Sequence, residues 1–199
     1  MTQTLYLIRH AQPLIEEGRC YGQLDVDADQ RGTEQAARNL AVYLLEQQCV
    51  PSFIYCSDLK RATQLAHELQ LHFPHTPLII DPRLREMDFG CWEGQAWNSI
   101  PKSAYDAWVN NFGDYQFGGR ESCQMVLNRV LACFYDMQKV RNDCSLIGRE
   151  DQHILWITHA GVIRALRHYL GTGKSSITSA IDWPTTVAGF GCWESFVLG

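Results

Sequence analysis

The sequence predicts an α/β fold built on a mostly parallel sheet, and three observations predict it. Short apolar runs with bulky residues on both faces of the pleat recur at residues 4–8, 52–56 and 153–158, which is how strands buried on both sides read. Two of these runs lead into stretches with apolar residues at helical spacing, residues 58–71 and 162–170. A chain of 199 residues can bury one substantial core and demands no second domain, so residues 1–199 are expected to form a single unit.

In chain order, Leu5, Tyr6, Leu7 and Ile8 make the first strand. Residues 33–47 make the first helix, with Ala37, Leu40, Ala41, Leu44 and Leu45 inward and Gly32 punctuating the loop before it. The strand at 52–56 is followed by a helix at 58–71 carrying Leu59, Ala62, Ala66 and Leu69 on one face, and residues 78–80 form a further short strand. Residues 87–119 differ in character: they are dense in Trp, Phe, Tyr, Gly and Asn without a sustained period, and read as an insertion that would cover a site at the strand ends. A helical pattern returns at 121–139, a strand at 153–158, and a helix at 162–170 with Val162, Ala165, Leu166 and Tyr169 on one face. The last strand, 192–198, is expected at an edge or antiparallel to the rest. No repeat, low-complexity tract or linker divides the chain.

The composition, 46% hydrophobic and 20% charged with a formal net charge of −5, is that of an ordinary soluble protein. A generally acidic surface repels a polyanion, so nucleic acid is not an expected partner. A small phosphorylated substrate needs only a local knot of positive charge, which the average does not report. No run approaches the ~20 apolar residues that span a bilayer, and residues 1–8 lack the basic flank and long apolar stretch of a secretory signal. No membrane partner and a cytoplasmic location are therefore expected, with the chain a monomer or homodimer. Eight cysteines without a C-x-x-C pair suggest neither a disulfide framework nor a zinc ribbon. His67, His72 and His75 lie close together, but Pro74 interrupts them and no carboxylate or thiolate falls at ligand spacing, so they read as a polar loop. Neither a metal nor another cofactor is expected.

Ligands of open parallel sheets bind beyond the carboxyl ends of the strands. The first strand ends in Arg9 and His10, the second in Ser57 with Arg61 one turn into the following helix, and the third in His159, Ala160 and Gly161. Singly, each has an ordinary reading: a strand-end histidine is usually structural, and Arg61 reads equally as a surface helix charge. Jointly they place two guanidiniums, which supply paired donors for phosphate oxygens, beside an imidazole nucleophile. The helix start after His159 adds free N–H groups and a positive dipole end, so an anion is expected there.

The motif Leu7-Ile8-Arg9-His10-Ala11 resembles the Arg-His-Gly signature of the histidine phosphatase superfamily, which also includes cofactor-dependent phosphoglycerate mutases. Three further motifs follow in the family's order: Ser57-Asp58-Leu59-Lys60-Arg61, the acidic segment Leu84-Arg85-Glu86-Met87-Asp88-Phe89-Gly90 with Trp92-Glu93-Gly94, and Thr158-His159-Ala160-Gly161. The resemblance runs from Leu5 to at least Leu170. It implies a three-layer α/β/α sandwich of the phosphoglycerate mutase-like type and a phosphomonoester hydrolase of the histidine acid phosphatase kind. By the same resemblance His10 attacks phosphorus, Arg9 and Arg61 hold its oxygens, His159 stabilises the developing charge, and Glu86 donates the proton. Ser57, Ala160 and Gln23 are implied as further substrate contacts. To serve as an acid Glu86 must hold a proton at neutral pH, so it is expected partly desolvated against the aromatic segment. The competing reading of Glu86, an ion pair with Arg83 or Arg85, follows from spacing alone.

Two departures bear on activity. Ala11 replaces the family's glycine, and Pro13 and Leu14 stand where mutases of the family carry a serine and an asparagine, which argues against a mutase. The Glu86–Glu93 segment, the short length and the ending Gly191-Cys192-Trp193 resemble the α-ribazole phosphatase branch, which implies α-ribazole 5′-phosphate as substrate. A broad sugar-phosphate phosphatase or a cofactor-dependent phosphoglycerate mutase is the alternative within the family, and a non-catalytic phosphate-binding module the alternative outside it. Trp92, Trp97, Tyr105, Trp108, Phe112, Tyr115 and Phe117 are expected mostly to pack the core or lid, with one or two stacking on the leaving group.

Overall fold

A computed structural model describes residues 2–144 and 151–198, with the side chains of residues 2, 140–144 and 151 outside the description. Five strands, β1 (Thr2–Arg9), β2 (Phe53–Cys56), β3 (Leu78–Ile80), β4 (Asp151–Thr158) and β5 (Trp193–Leu198), form one sheet in the order β3-β2-β4-β1-β5. The first four run parallel, and β5 pairs antiparallel with β1 at the edge. Among the described residues five α-helices accompany them: α1 (Gln30–Glu46), α2 (Lys60–His72), α3 (Lys102–Asn110), α4 (Cys123–Cys144) and α5 (Ala160–Thr172).

The period-2 geometry of the strands divides their apolar residues between two cores. Leu5, Leu7, Ile154 and Trp156 pack with Val126 and Val130 of α4 and with Val162 and Leu166 of α5. The alternate residues Tyr6, Ile8, Leu155 and Ile157 pack on the opposite face with Leu40 and Leu44 of α1 and Leu65 and Leu69 of α2. Helices on both faces of one mixed but mostly parallel sheet make the three-layer sandwich of the phosphoglycerate mutase-like fold. Each fully buried Leu or Ile contributes about 1.5–3 kcal/mol by removal from water, which explains why the strands read as continuous apolar runs. No helix of the described residues is long and apolar enough to cross a membrane.

Several boundaries differ from the sequence reading, each for a local reason. Helix α1 begins at Gln30 rather than residue 33, because Asp29 caps it: its Oδ2 accepts from Gly32 N–H at 2.6 Å. Gly32 is thus inside the first turn, not in the loop. Helix α5 begins at Ala160, directly after His159, and β4 begins at Asp151. His67 and His72 lie on α2, so the polar loop expected for that histidine cluster is corrected to a helix. The helical period of Leu65, Ala66 and Leu69 continues to residue 72 and carries both histidines with it.

The aromatic segment holds short 3-10 turns at Gly90–Trp92 and Trp97–Ser99 followed by α3. Its rings converge on the fully buried Phe117: Trp108 stacks on it at 4.4 Å, with Tyr105 at 5.5 Å and Trp92 at 6.0 Å between centroids. Gly118, beside this hub, has φ +84° and comes so near Phe89 that a Cβ would sit 1.8 Å from its carbonyl oxygen. Only glycine meets both conditions.

Replacing the α1 cap tests the account of that helix. Asp29→Ala should lower stability by about 1 kcal/mol, read as a fall in the urea midpoint with no change in slope. An unchanged midpoint would remove the cap from the explanation of where α1 starts.

Candidate active site

The two central strands, β1 and β4, end opposite each other, with Arg9 in register with Thr158. Backbone pairing continues one step past the strands: His10 N–H donates to the Thr158 carbonyl at 3.2 Å, and Ser57 N–H to that of Ile157 at 3.0 Å. Those bonds bring His10, Ser57 and His159 to one place. The imidazoles of His10 and His159 lie 4.9 Å apart between centroids, and both are buried.

His10 Nδ1 lies 2.6 Å from the Ala11 carbonyl oxygen. A carbonyl only accepts, so Nδ1 is assigned the proton and Nε2 keeps a lone pair. Burial, then the positive charge of Arg61, push the His10 pKa down to about 3, against a smaller upward pull from the Ala11 carbonyl. The ring is therefore neutral across the physiological range. His159 is likewise held well below its ordinary value, by burial first and then by His10 and Arg61. Its Nε2 pairs with Ser57 Oγ at 2.9 Å, while its Nδ1 is buried without a partner among the described residues.

Arg9 lies with its guanidinium carbon 3.8 Å from the centre of the Phe190 ring, and donates to the Ala188 carbonyl. Arg61 is fully buried, not the surface charge that spacing alone allows; its Nη1 and Nη2 donate to the carbonyls of Leu24 at 2.7 Å and Gly22 at 2.5 Å. Both arginines retain a buried Nε without a hydrogen-bond partner among the described residues. Among the described ion pairs, neither is matched to a carboxylate, nor is Arg164. Carbonyls solvate these guanidiniums, and the Glu86 carboxyl group acts electrostatically on Arg61 and Arg164 from the same site.

Glu86 is buried, and its Oε1 accepts from Met87 N–H and from Gly161 N–H, each at 2.9 Å. The contact with α5 needs a glycine: a Cβ on Gly161 would lie 2.2 Å from Oε1. At this helix N-terminus, where sequence reading places a bound anion, the structure finds the Glu86 carboxyl group. The ion pairs proposed for Glu86 from spacing do not form, since Arg83 binds Asp81 and Asp136, and Arg85 binds Asp58. Arg129 of α4 instead fixes the segment's backbone. It donates to the carbonyls of Arg83, Arg85 and Glu86 and pairs with Glu121, whose other oxygen accepts from Asp88 N–H.

A cavity of about 240 Å³ beside these groups is lined by Arg9, Tyr21, Gly22, Glu86, Phe89, Trp97 and Arg164. Of the further contacts implied by sequence, Ser57 is fully buried and engaged with His159, and Gln23 Nε2 is engaged with the Glu86 carbonyl at 2.9 Å. Ala160 is buried at the first position of α5. None of these three lines the cavity. Arg164, Tyr21 and Phe190 were not singled out in the sequence. Arg164 had a signal, because it lies one turn beyond Ala160 on α5 and so on the same helix face. Tyr21 and Phe190 lie in irregular segments with no period to reveal them. Among the described residues no group of three His, Cys, Asp or Glu side chains is placed to hold a metal ion.

The sequence model of the histidine phosphatase superfamily (branch 1) matches residues 5–187. The glucosyl-3-phosphoglycerate phosphatase of Mycolicibacterium vanbaalenii is 32% identical over 165 residues, 81% of this chain and 71% of that protein. The putative phosphoserine phosphatase 2 of Hydrogenobacter thermophilus is 31% identical over 166 residues, 81% of this chain and 75% of its own length. Among solved structures, the α-ribazole phosphatase from Shigella flexneri superposes with a TM-score of 0.75 at 25% identity, covering 96% of this chain and 89% of that one.

The neutral state of His10 has a consequence for stability. The unfolded chain binds a proton at this imidazole as pH falls below ~6.5, whereas the folded chain does not until about pH 3. The contribution is complete above the unfolded value and is lost progressively as pH falls toward the folded one. In His10→Gln the fall of unfolding free energy between pH 6 and pH 4 should therefore be shallower, by up to about 1.4 kcal/mol per pH unit. Urea titrations at several pH values decide it. An equally steep fall in the variant would show that His10 is not held neutral.

Proposed function

The chain belongs to the histidine phosphatase superfamily as a phosphoric monoester hydrolase, and from that premise we propose that His10 is its nucleophile and α-ribazole 5′-phosphate its substrate. The observation that carries the nucleophile is the His10 imidazole itself, neutral, with Nδ1 tied to Ala11 and Nε2 left with a lone pair, beside Arg9 and Arg61, neither of which belongs to a described ion pair. Nε2 attacks phosphorus as the ester oxygen departs, forming an N–P bond and breaking a P–O bond. Arg9 and Arg61 stabilise the charge on the transferring group, and the unpartnered His159 Nδ1 is a further polar contact for it.

Glu86 supplies the proton to the leaving oxygen. Its Oε1 already accepts two N–H bonds, so Oε2 is the atom that carries the proton. The resulting carboxylate then takes a proton from water, which attacks phosphorus, breaks the N–P bond and releases phosphate. Residues 87–119 act as the cover that limits water at this step. The substrate reading rests on the resemblance of the Glu86–Glu93 segment and on the likeness to the Shigella flexneri enzyme. Identity of 32% to a glucosyl-3-phosphoglycerate phosphatase favours a second reading, a sugar-linked phosphoglycerate as substrate. Phosphate release from α-ribazole 5′-phosphate, glucosyl-3-phosphoglycerate, 3-phosphoglycerate and simple sugar phosphates under identical conditions separates them; a preference for any of the last three would displace the first.

His10→Ala should form no acid-labile phosphoenzyme and lose turnover while keeping the circular dichroism of the parent. Activity retained in that variant would refute the nucleophile. Glu86→Gln should slow single-turnover phosphohistidine formation from alkyl phosphates by about 10²- to 10⁴-fold, and far less from p-nitrophenyl phosphate, whose phenolate leaves without a proton. Equal slowing of both would remove Glu86 as the acid.

A further inference from the structure

Beside the cavity that holds Glu86 and Arg9 is a second, of about 460 Å³, lined by Gln12, Pro13, Ile15, Glu16, Glu17, Gly18, Arg19, Tyr21, Trp97 and Phe190. Tyr21 and Trp97 are walls of both, and Phe190 lies against His10, at 5.5 Å between rings, and against Arg9. A ligand that leaves its phosphate at His10 thus continues past three aromatic rings into this outer space. We propose that the outer cavity is the leaving-group subsite, and that it selects phosphomonoesters of bulky, ring-bearing alcohols without a carboxylate, with Trp97 as the stacking wall and Glu17 as the charge that repels acids.

Size, surface and charge agree on that class. The outer cavity falls within the ~300–1,000 Å³ of pockets that enclose drug-sized ligands, whereas a three-carbon alcohol such as serine or glycerate is accommodated by the inner cavity and leaves the outer one unfilled. Its walls are Trp97, Tyr21, Phe190, Pro13 and Ile15, the flat and apolar surface on which a planar or sugar ring gains contact area. Trp97 is held by its neighbours, edge-on to Phe89 at 5.2 Å and near-parallel to Phe117 at 6.4 Å, contacts that restrain its rotation. The charges are asymmetric. Arg19 is bound to Glu16 at 2.5 Å and is thereby neutralised, while Glu17 has no partner among the described ion pairs and leaves the outer cavity net negative. Opposite sign in the two compartments discriminates along the substrate: anion inward, uncharged ring outward.

The inference rests on the phosphohistidine reading and is separable from it by experiment. Values of kcat/KM are measured for two ring-bearing esters, α-ribazole 5′-phosphate and AMP, and for phosphoserine, which is small and carries a carboxylate; phosphohistidine on His10 is trapped from each. The expected result is a preference of at least ten-fold for one or both ring-bearing esters. Trp97→Ala should narrow that ratio at least five-fold, chiefly through KM of the ring-bearing substrate. Glu17→Lys, at an exposed position where folding is not at risk, should shift the ratio toward phosphoserine several-fold at low ionic strength and less at 0.5 M salt. A ratio near one in the parent, or ratios unmoved in both variants while phosphohistidine still forms, would overturn the subsite and leave the hydrolase reading in place. Absence of phosphohistidine from all three esters would overturn both.

Discussion

Parallel pairing of β1 with β4 sets Arg9 opposite Thr158, and one more backbone bond, from His10 N–H to the Thr158 carbonyl, keeps the two segments tied together as they leave the sheet. From that tie follow the 4.9 Å approach of the two imidazoles and the position of α5, whose Gly161 N–H meets Glu86. The register is held by both cores at once. A slip of one residue would exchange Leu5 and Leu7 with Tyr6 and Ile8 between the two faces and mismatch every helix contact.

Burial then decides the charge state of what the strands deliver. Away from water, and beside Arg9 and Arg61, an imidazolium is disfavoured, so both histidines are neutral. The arginines divide into two groups by their partners. Arg83, Arg85 and Arg129 are matched to Asp81, Asp136, Asp58 and Glu121 and act as braces. Arg9, Arg61 and Arg164 have carbonyls and aromatic faces instead, which orient a guanidinium and leave its charge available to an anion.

The braces explain how a carboxyl group reaches a buried position opposite a helix start. Arg129 binds three carbonyls of the chain from Arg83 to Glu86, and Gln23 adds a second donor to the Glu86 carbonyl. With its backbone so constrained, Glu86 points its Oε1 at Gly161. Phe117 does similar work for the aromatic segment, where one buried ring organises several others and leaves Trp97 as a wall of both cavities.

How much of this was legible follows from the range of each interaction. Strands, helices and the four motifs are written in local periods and adjacent residues, so the α/β class, the edge strand and the set His10, Arg9, Arg61, Glu86 and His159 could be read in order along the chain. The start of α1 was misplaced because Asp29 and Gly32 form a cap that looks like a loop until its hydrogen bond is seen. The partners of Glu86 were not legible, because Arg129 lies 43 residues away and Gly161 75 residues away, and no spacing rule spans such distances. For the same reason the sequence does not show that Gln23 bonds the Glu86 carbonyl and Ser57 bonds His159. Sequence alone determined which reactive groups this protein has and at which strand ends they emerge, since those depend on neighbours along the chain. Only the tertiary structure decided which arginines lack a carboxylate partner among the described ion pairs and which residues wall the two cavities, because charge matching and cavity shape depend on residues that meet only after folding.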